Sequence, residues 1–165
     1  MTVQLLTLVF IGFCLFAALR DLATLTIPNW LNLSLALSFI GACLLVQPGW
    51  ETVGWHLVAG AIAFAISVAL FASGVFGGGD AKMIPGIMLW IGPGGAMSFV
   101  YAMALAGGLL AVLVILARKW VPAHAAPGFA YETLQDEKGV PYGIAIAAGA
   151  FAAMPPSPFL TSFLS

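Results

Sequence analysis

No charged side chain occurs in this chain before Arg20. Residues 2–19 form one uncharged apolar run, close to the ~20 residues a helix needs to cross a bilayer. The rest of the chain repeats the pattern. It is 62% hydrophobic and 7% charged, where a soluble domain carries about 25% charged residues. A chain this poor in polar side chains cannot cover a water-facing surface. It reads as an integral membrane protein, all-α, folded as a polytopic helical bundle, with residues 1–165 forming one membrane domain. The first run is a retained transmembrane helix, because a cleavable signal carries its positive charge ahead of the apolar stretch. Nucleic acid is excluded as a partner, since no basic patch exists to neutralise phosphates. The two cysteines, Cys14 and Cys43, both lie inside apolar runs and read as buried free thiols.

The segments follow in order. Residues 2–19 stop at Arg20-Asp21. Residues 22–29 read as a loop, in which Thr26 offers a capping hydroxyl and Pro28 a first-turn proline. Residues 30–46 are a second helix, closed by Gln47-Pro48-Gly49. Trp50 and Trp55 read as interfacial aromatics. Residues 56–76 are a third helix, broken by Gly77-Gly78-Gly79-Asp80. Residues 83–91 are too short to span and end at Gly92-Pro93-Gly94-Gly95. They form either a broken helix packed inside the bundle, where irregular backbone is tolerated, or part of a helix that begins near Gly78 and carries Asp80 in its first turns. Residues 96–117 are a clear span before Arg118-Lys119. Residues 121–139 are the long polar loop. Residues 142–154 begin a last helix, disturbed by Pro155-Pro156-Ser157-Pro158. The tail, residues 159–165, finishes that span or lies at the interface. That makes about six membrane segments of bilayer-compatible character.

Six segments put Arg20, Lys82 and the cations from Arg118 to Lys138 on one side, which is all five Lys and Arg residues. Short loops rich in Lys and Arg stay in the cytoplasm, so the N-terminus is expected outside. Asp21 and Asp80 then share the cytoplasmic face. A segment count wrong by one between them would separate the two acids.

A carboxylate on a glycine turn at a membrane edge is costly to place and marks a functional site. Two such carboxylates brought together in a low-dielectric site cannot both ionise easily, and the pair shares a proton. That arrangement runs peptide hydrolysis: the ionised member takes a proton from water, and the protonated member polarises the scissile carbonyl. The glycines let a substrate backbone approach and allow positive φ. Blander readings exist for each residue. Asp21 pairs with Arg20 at a helix end, Asp80 pairs with Lys82 as a weak interfacial ion pair, and the glycines form a plain turn. A proton-relay or small transporter subunit also uses membrane carboxylates, but would more often place them near mid-bilayer.

The motifs carry a resemblance. Gly77-Gly78-Gly79-Asp80-Ala81-Lys82 is similar to the GGGDxK stretch of the type IV prepilin peptidases, membrane aspartic proteases with a GxGD motif. Asp21 with Ile27-Pro28-Asn29 resembles their first catalytic aspartate followed by an IPN turn. Val140-Pro141-Tyr142-Gly143 resembles a third signature at the start of the last helix. The resemblance implies an Asp21/Asp80 catalytic dyad, with Gly77, Gly78, Gly79, Lys82, Pro28 and Asn29 supporting it or the substrate. It implies a bacterial inner-membrane protein and a prepilin substrate, cleaved after a glycine between a basic cytoplasmic leader and an apolar helix, with pilus-assembly machinery as a further partner. No methyltransferase activity is expected, because the paired CxxC motifs of many members are missing here. The chain looks like the short branch that serves Flp or tight-adherence pili.

The remaining candidates have simpler explanations. Lys82 reads as a snorkelling anchor. Asn29 and Asn32 read as capping or interhelical hydrogen-bonding groups. His56 and His124 are too isolated to be metal ligands, and neither metal nor cofactor is expected. Gly107-Gly108 reads as a close helix contact. The acids Glu132, Asp136 and Glu137 either attract a basic leader or lie in a plain solvated loop.

Overall fold

The computed structural model describes residues 1–120, 128, 131–134, 139–155 and 157–160. Its elements are α1 (Thr2–Thr24), α2 (Asn29–Val46), α3 (Trp50–Ala72), α4 (Gly78–Trp120), α5 (Tyr131–Leu134) and α6 (Tyr142–Ala152). Among the described residues there is no strand. Four helices are long and apolar enough to cross a membrane, and α6 is a shorter apolar helix. The expected polytopic helical bundle is what the chain forms.

Each long helix buries a stripe and leaves its other large apolar side chains outward. In α1 the stripe is Leu6, Phe10, Cys14, Ala17 and Asp21, spaced three or four residues as one helical face requires. In α2 it is Leu31, Leu35, Phe39 and Ala42. The outward residues, such as Leu5, Leu44, Ile62 and Leu105, are more than half exposed, as lipid-facing positions are. Both cysteines are free, Cys14 buried and Cys43 only half-buried.

The helix α4 is two helices joined at Gly92, whose φ of 64° and ψ of −172° are not helical. Glycine is needed there twice: for the positive φ, and because a Cβ would fall 2.5 Å from Nε2 of His56. The break strands carbonyls at the end of the first half. His56 Nδ1 meets the Leu89 carbonyl at 2.8 Å, and the Ser157 hydroxyl donates to that of Trp90. Pro93, which has no N–H, could not have served Leu89. Phe39 stacks on His56 with centroids 5.9 Å apart, and Phe159 meets its edge at 5.0 Å. Indole Nε1 of Trp90 donates to the Leu35 carbonyl at 3.0 Å.

The contacts fix the direction of every segment. Along the first half of α4, Gly79 lies at Ile27 and Gly86 at Leu35, so it runs beside α2 in the same direction. Gly78 lies at Phe71 and Gly92 at His56, so α3 runs opposite. Along the second half, Gly95 lies at Ala153, Gly149 at Phe99 and Gly107 at Tyr142, so α6 runs back beside it. These small residues let the two backbones approach closely. With α4 counted as two halves, six segments alternate, as the hydropathy pattern requires. The end of α1 and the starts of α2, α4 and α6 meet at one end of the bundle.

Several boundaries differ from the sequence reading. The helix α1 does not stop at Arg20-Asp21 but continues to Thr24, closed by Leu25 at φ 51°. The loop is therefore short, and Asp21 lies inside the helix. Thr26 does not cap α2: its hydroxyl meets that of Thr24 at 2.8 Å, and Pro28 holds the cap position without a side-chain bond. Trp50 and Trp55 belong to α3, exposed at its start. Of the two readings offered for residues 78–91, the helix beginning near Gly78 is the one adopted.

Candidate active site

Asp21 is 5% exposed and continues the buried stripe of α1. It faces inward because it follows Ala17 by four residues on the same face. Its Oδ2 accepts a hydrogen bond from the backbone N–H of Gly143 at 2.7 Å. Gly143 sits in the first turn of α6, where backbone N–H groups have no intrahelical partner. A Cβ at Gly143 would fall 2.8 Å from Cβ of Asp21. Only glycine lets this amide come so near.

Asp80 is the third residue of α4, half-buried. Gly77 precedes the helix, and its carbonyl accepts from the Ala81 N–H at 3.0 Å. Oδ2 of Asp80 lies beside Gly77, 3.0 Å from where a Cβ on that glycine would stand. An acid at this position suits a helix start, where the backbone N–H groups and the dipole favour negative charge. The Asp21 charge acts on Asp80 electrostatically. Oδ1 of Asp80 is buried and has no hydrogen-bond partner among the described residues. Phe76 and Tyr142, ring centroids 6.1 Å apart, join the start of α4 to the start of α6 beside the acids.

The surrounding residues hold α2 against α4. Nζ of Lys82 donates to Oδ1 of Asn29 at 2.8 Å in an exposed contact. Neither acid is ion-paired with Arg20 or Lys82, so the surface-pair reading of each gives way. Nδ2 of Asn32 donates to the Gly79 carbonyl at 3.2 Å, while its Oδ1 is buried without a partner among the described residues. Both asparagines thus make interhelical bonds. Pro28 sets the start of α2 at φ −69°.

The glycine run works differently from expectation. None of Gly77, Gly78 and Gly79 has positive φ; that conformation occurs at Gly49, Gly74 and Gly92. A Cβ on Gly79 would fall 2.9 Å from Cβ of Ile27 and 3.1 Å from its backbone nitrogen. The space at Gly79 is therefore filled by the Ile27-Pro28-Asn29 turn rather than left for another chain. Gly77 is exposed beside the Asp80 carboxylate.

Two carboxylates at one end of the bundle, Asp21 tied to the Gly143 amide and Asp80 with a buried oxygen that has no partner among the described residues, can share one proton and serve as acid and base to a water molecule. The profile of the type IV leader peptidase family matches residues 8–112. The chain belongs to that family. A type IV leader peptidase family member is a peptidase, and here the apolar helices make it a membrane protein. No curated protein and no solved structure matches the chain. The matched residues include both acids and end before α6.

Sequence reasoning quoted Gly143 as part of a motif but did not place it in the site. It also assigned nothing to Thr133, which is buried although it lies in the polar loop. The side chains of Glu132, Asp136, Glu137, Lys138 and His124, and the end of the tail, lie outside the described residues.

Proposed function

We propose that this family member is an aspartic endopeptidase in which Asp21 and Asp80 activate water to remove the short leader of a prepilin. The reading rests on one observation. Asp21 near the end of α1, held by the Gly143 amide, and Asp80 at the start of α4 lie at one end of the bundle, and a buried oxygen of Asp80 has no partner among the described residues. A buried polar atom with no partner costs free energy, so the site is completed by water or by a substrate group.

In the first step one carboxylate takes a proton from water as its oxygen bonds to the scissile carbonyl carbon. The other carboxylic acid donates a hydrogen bond, then its proton, to the carbonyl oxygen. Collapse of the tetrahedral species breaks the C–N bond and returns a proton to the leaving amine. Neutralising the pair with one proton is what lets two acids work in one site.

Arg20 near the end of α1, Lys82 near the start of α4 and Arg118 and Lys119 at the end of α4 all lie toward the acid end, which favours a cytoplasmic active site and an outside N-terminus. In a bacterium this is the inner membrane, facing a basic leader whose apolar helix is already in the bilayer. The resemblance to the short branch of the family makes an Flp-type prepilin the substrate we propose. The test is co-expression with such a prepilin. Wild type should remove the leader; Asp21→Ala and Asp80→Ala should not, at equal membrane levels. Full processing by either variant would reject the dyad.

A further inference from the structure

The last turn of α1, which carries Asp21, ends in carbonyls that have no helical N–H to accept from. The Thr24 hydroxyl donates to Arg20 at 2.8 Å, and the Leu25 N–H donates to Asp21 at 2.8 Å. The Leu22 carbonyl is one of these, because α1 ends before a helical N–H reaches it. Its carbonyl accepts from the hydroxyl of Thr133 in α5, at 3.0 Å. Thr133 is 4% exposed, and its own carbonyl takes two bonds from Arg118, Nε at 3.1 Å and Nη2 at 2.9 Å. Arg118 Nη2 also donates to the Gly139 carbonyl at 3.0 Å. Gly139 lies shortly before Gly143, whose N–H holds the Asp21 carboxylate.

The connection between α4 and α6 and the first turn of α6 therefore grip Asp21 from two sides. At one point they hold the backbone just after the acid; at the other they hold the side chain. A single guanidinium at the end of α4 ties the first point, Thr133, to Gly139, four residues before the second, which its planar fork of donors suits. The last turn of a helix frays unless its carbonyls are satisfied, and this one closes on a non-glycine residue with positive φ, itself unfavourable. Local sequence alone would hold Asp21 loosely.

We propose that Thr133, braced by Arg118, is a positioning residue for Asp21. It does not touch the reacting atoms. It fixes the last turn of α1 so that the Asp21 carboxylate stays in line with both the Gly143 amide and Asp80. The proposal rests on the dyad reading above.

The test uses the full chain in detergent with an Flp-type prepilin as probe. Thr133→Val removes the hydroxyl and keeps the shape; Thr133→Ser restores the donor. Small misplacements of a reacting group cost up to about 10²-fold. Thr133→Val should thus lower kcat by about 10- to 100-fold with KM within a factor of about two, and Thr133→Ser should recover most of kcat. Amide hydrogen exchange over residues 19–25 should be faster in Thr133→Val than in wild type or Thr133→Ser. Wild-type kcat in Thr133→Val, an equal loss in Thr133→Ser, or unchanged exchange in Thr133→Val would each overturn the proposal. Wild type that cleaves no prepilin, with the exchange pattern as expected, would overturn the dyad reading and leave the brace standing.

Discussion

The first half of α4 has two ends, and they are finished differently. At the Gly92 end the stranded carbonyls of Leu89 and Trp90 are met by His56 and Ser157, and aromatic rings close around them. At the Asp80 end, buried oxygens of Asp80 and of Asn32 on the adjoining α2 have no partner among the described residues. Buried polar atoms are nearly always hydrogen-bonded. One end is complete as protein; the other is complete only when something else enters it. The difference separates residues kept for architecture from residues kept for chemistry, and each class should fail in its own way.

The largest effect belongs to the open end. Asp21→Asn and Asp80→Asn keep the shape and remove the exchangeable proton. Each should cut prepilin cleavage by at least about 10²-fold, the lower bound for losing a general acid or base, with the thermal midpoint in detergent unchanged or raised. Retained cleavage in either amide variant would remove the distinction between the ends. Next comes Gly143→Ala. Its methyl group would fall 2.8 Å from Cβ of Asp21, pushing the α6 amide off the carboxylate. Cleavage should fall by about 10²-fold while the protein still inserts and folds; cleavage at the wild-type rate would show that this amide does not hold the acid in place.

The closed end should respond in stability alone. His56→Ala leaves the Leu89 carbonyl without its donor, and a buried unsatisfied group costs about 1–3 kcal/mol. The thermal midpoint should drop, while kcat per folded molecule stays within a factor of about three, since the Leu89 carbonyl lies about two and a half helical turns from Asp80. A large kcat loss at unchanged stability would mean that the two ends are coupled through α4.

These differences also mark what the sequence could express. Six segments and their alternation follow from apolar runs and from the grouping of cations, because both are local and one-dimensional. The pairing of Asp21 with Asp80 at one end follows from that count. The burial of Asp21 was within reach, since Leu6, Phe10, Cys14 and Ala17 lead to it at helical spacing, but the charged pair Arg20-Asp21 reads as a stop. Other features depend on partners far along the chain. Nothing near Gly143 announces a contact with Asp21, and nothing near His56 announces that it will occupy the space of a missing Cβ at Gly92. The glycine run misled for the same reason: the need at Gly79 is close packing on Ile27, which only the folded chain reveals.

The smallest effect is expected at Lys82. It belongs to the open end by position, yet its bond to Asn29 is exposed, and exposed charged contacts contribute about 0–1 kcal/mol. Lys82→Ala should leave the thermal midpoint nearly unmoved. Because its ammonium goes to Asn29 and not to either acid, kcat should also stay within about threefold of wild type, the change expected from a distant charge screened by water. A change confined to KM would place Lys82 on the path of the leader. A fall in kcat approaching that of the aspartate variants would instead mean that Lys82 leaves Asn29 during the reaction and joins the acids, and the open end would then contain three chemical groups instead of two.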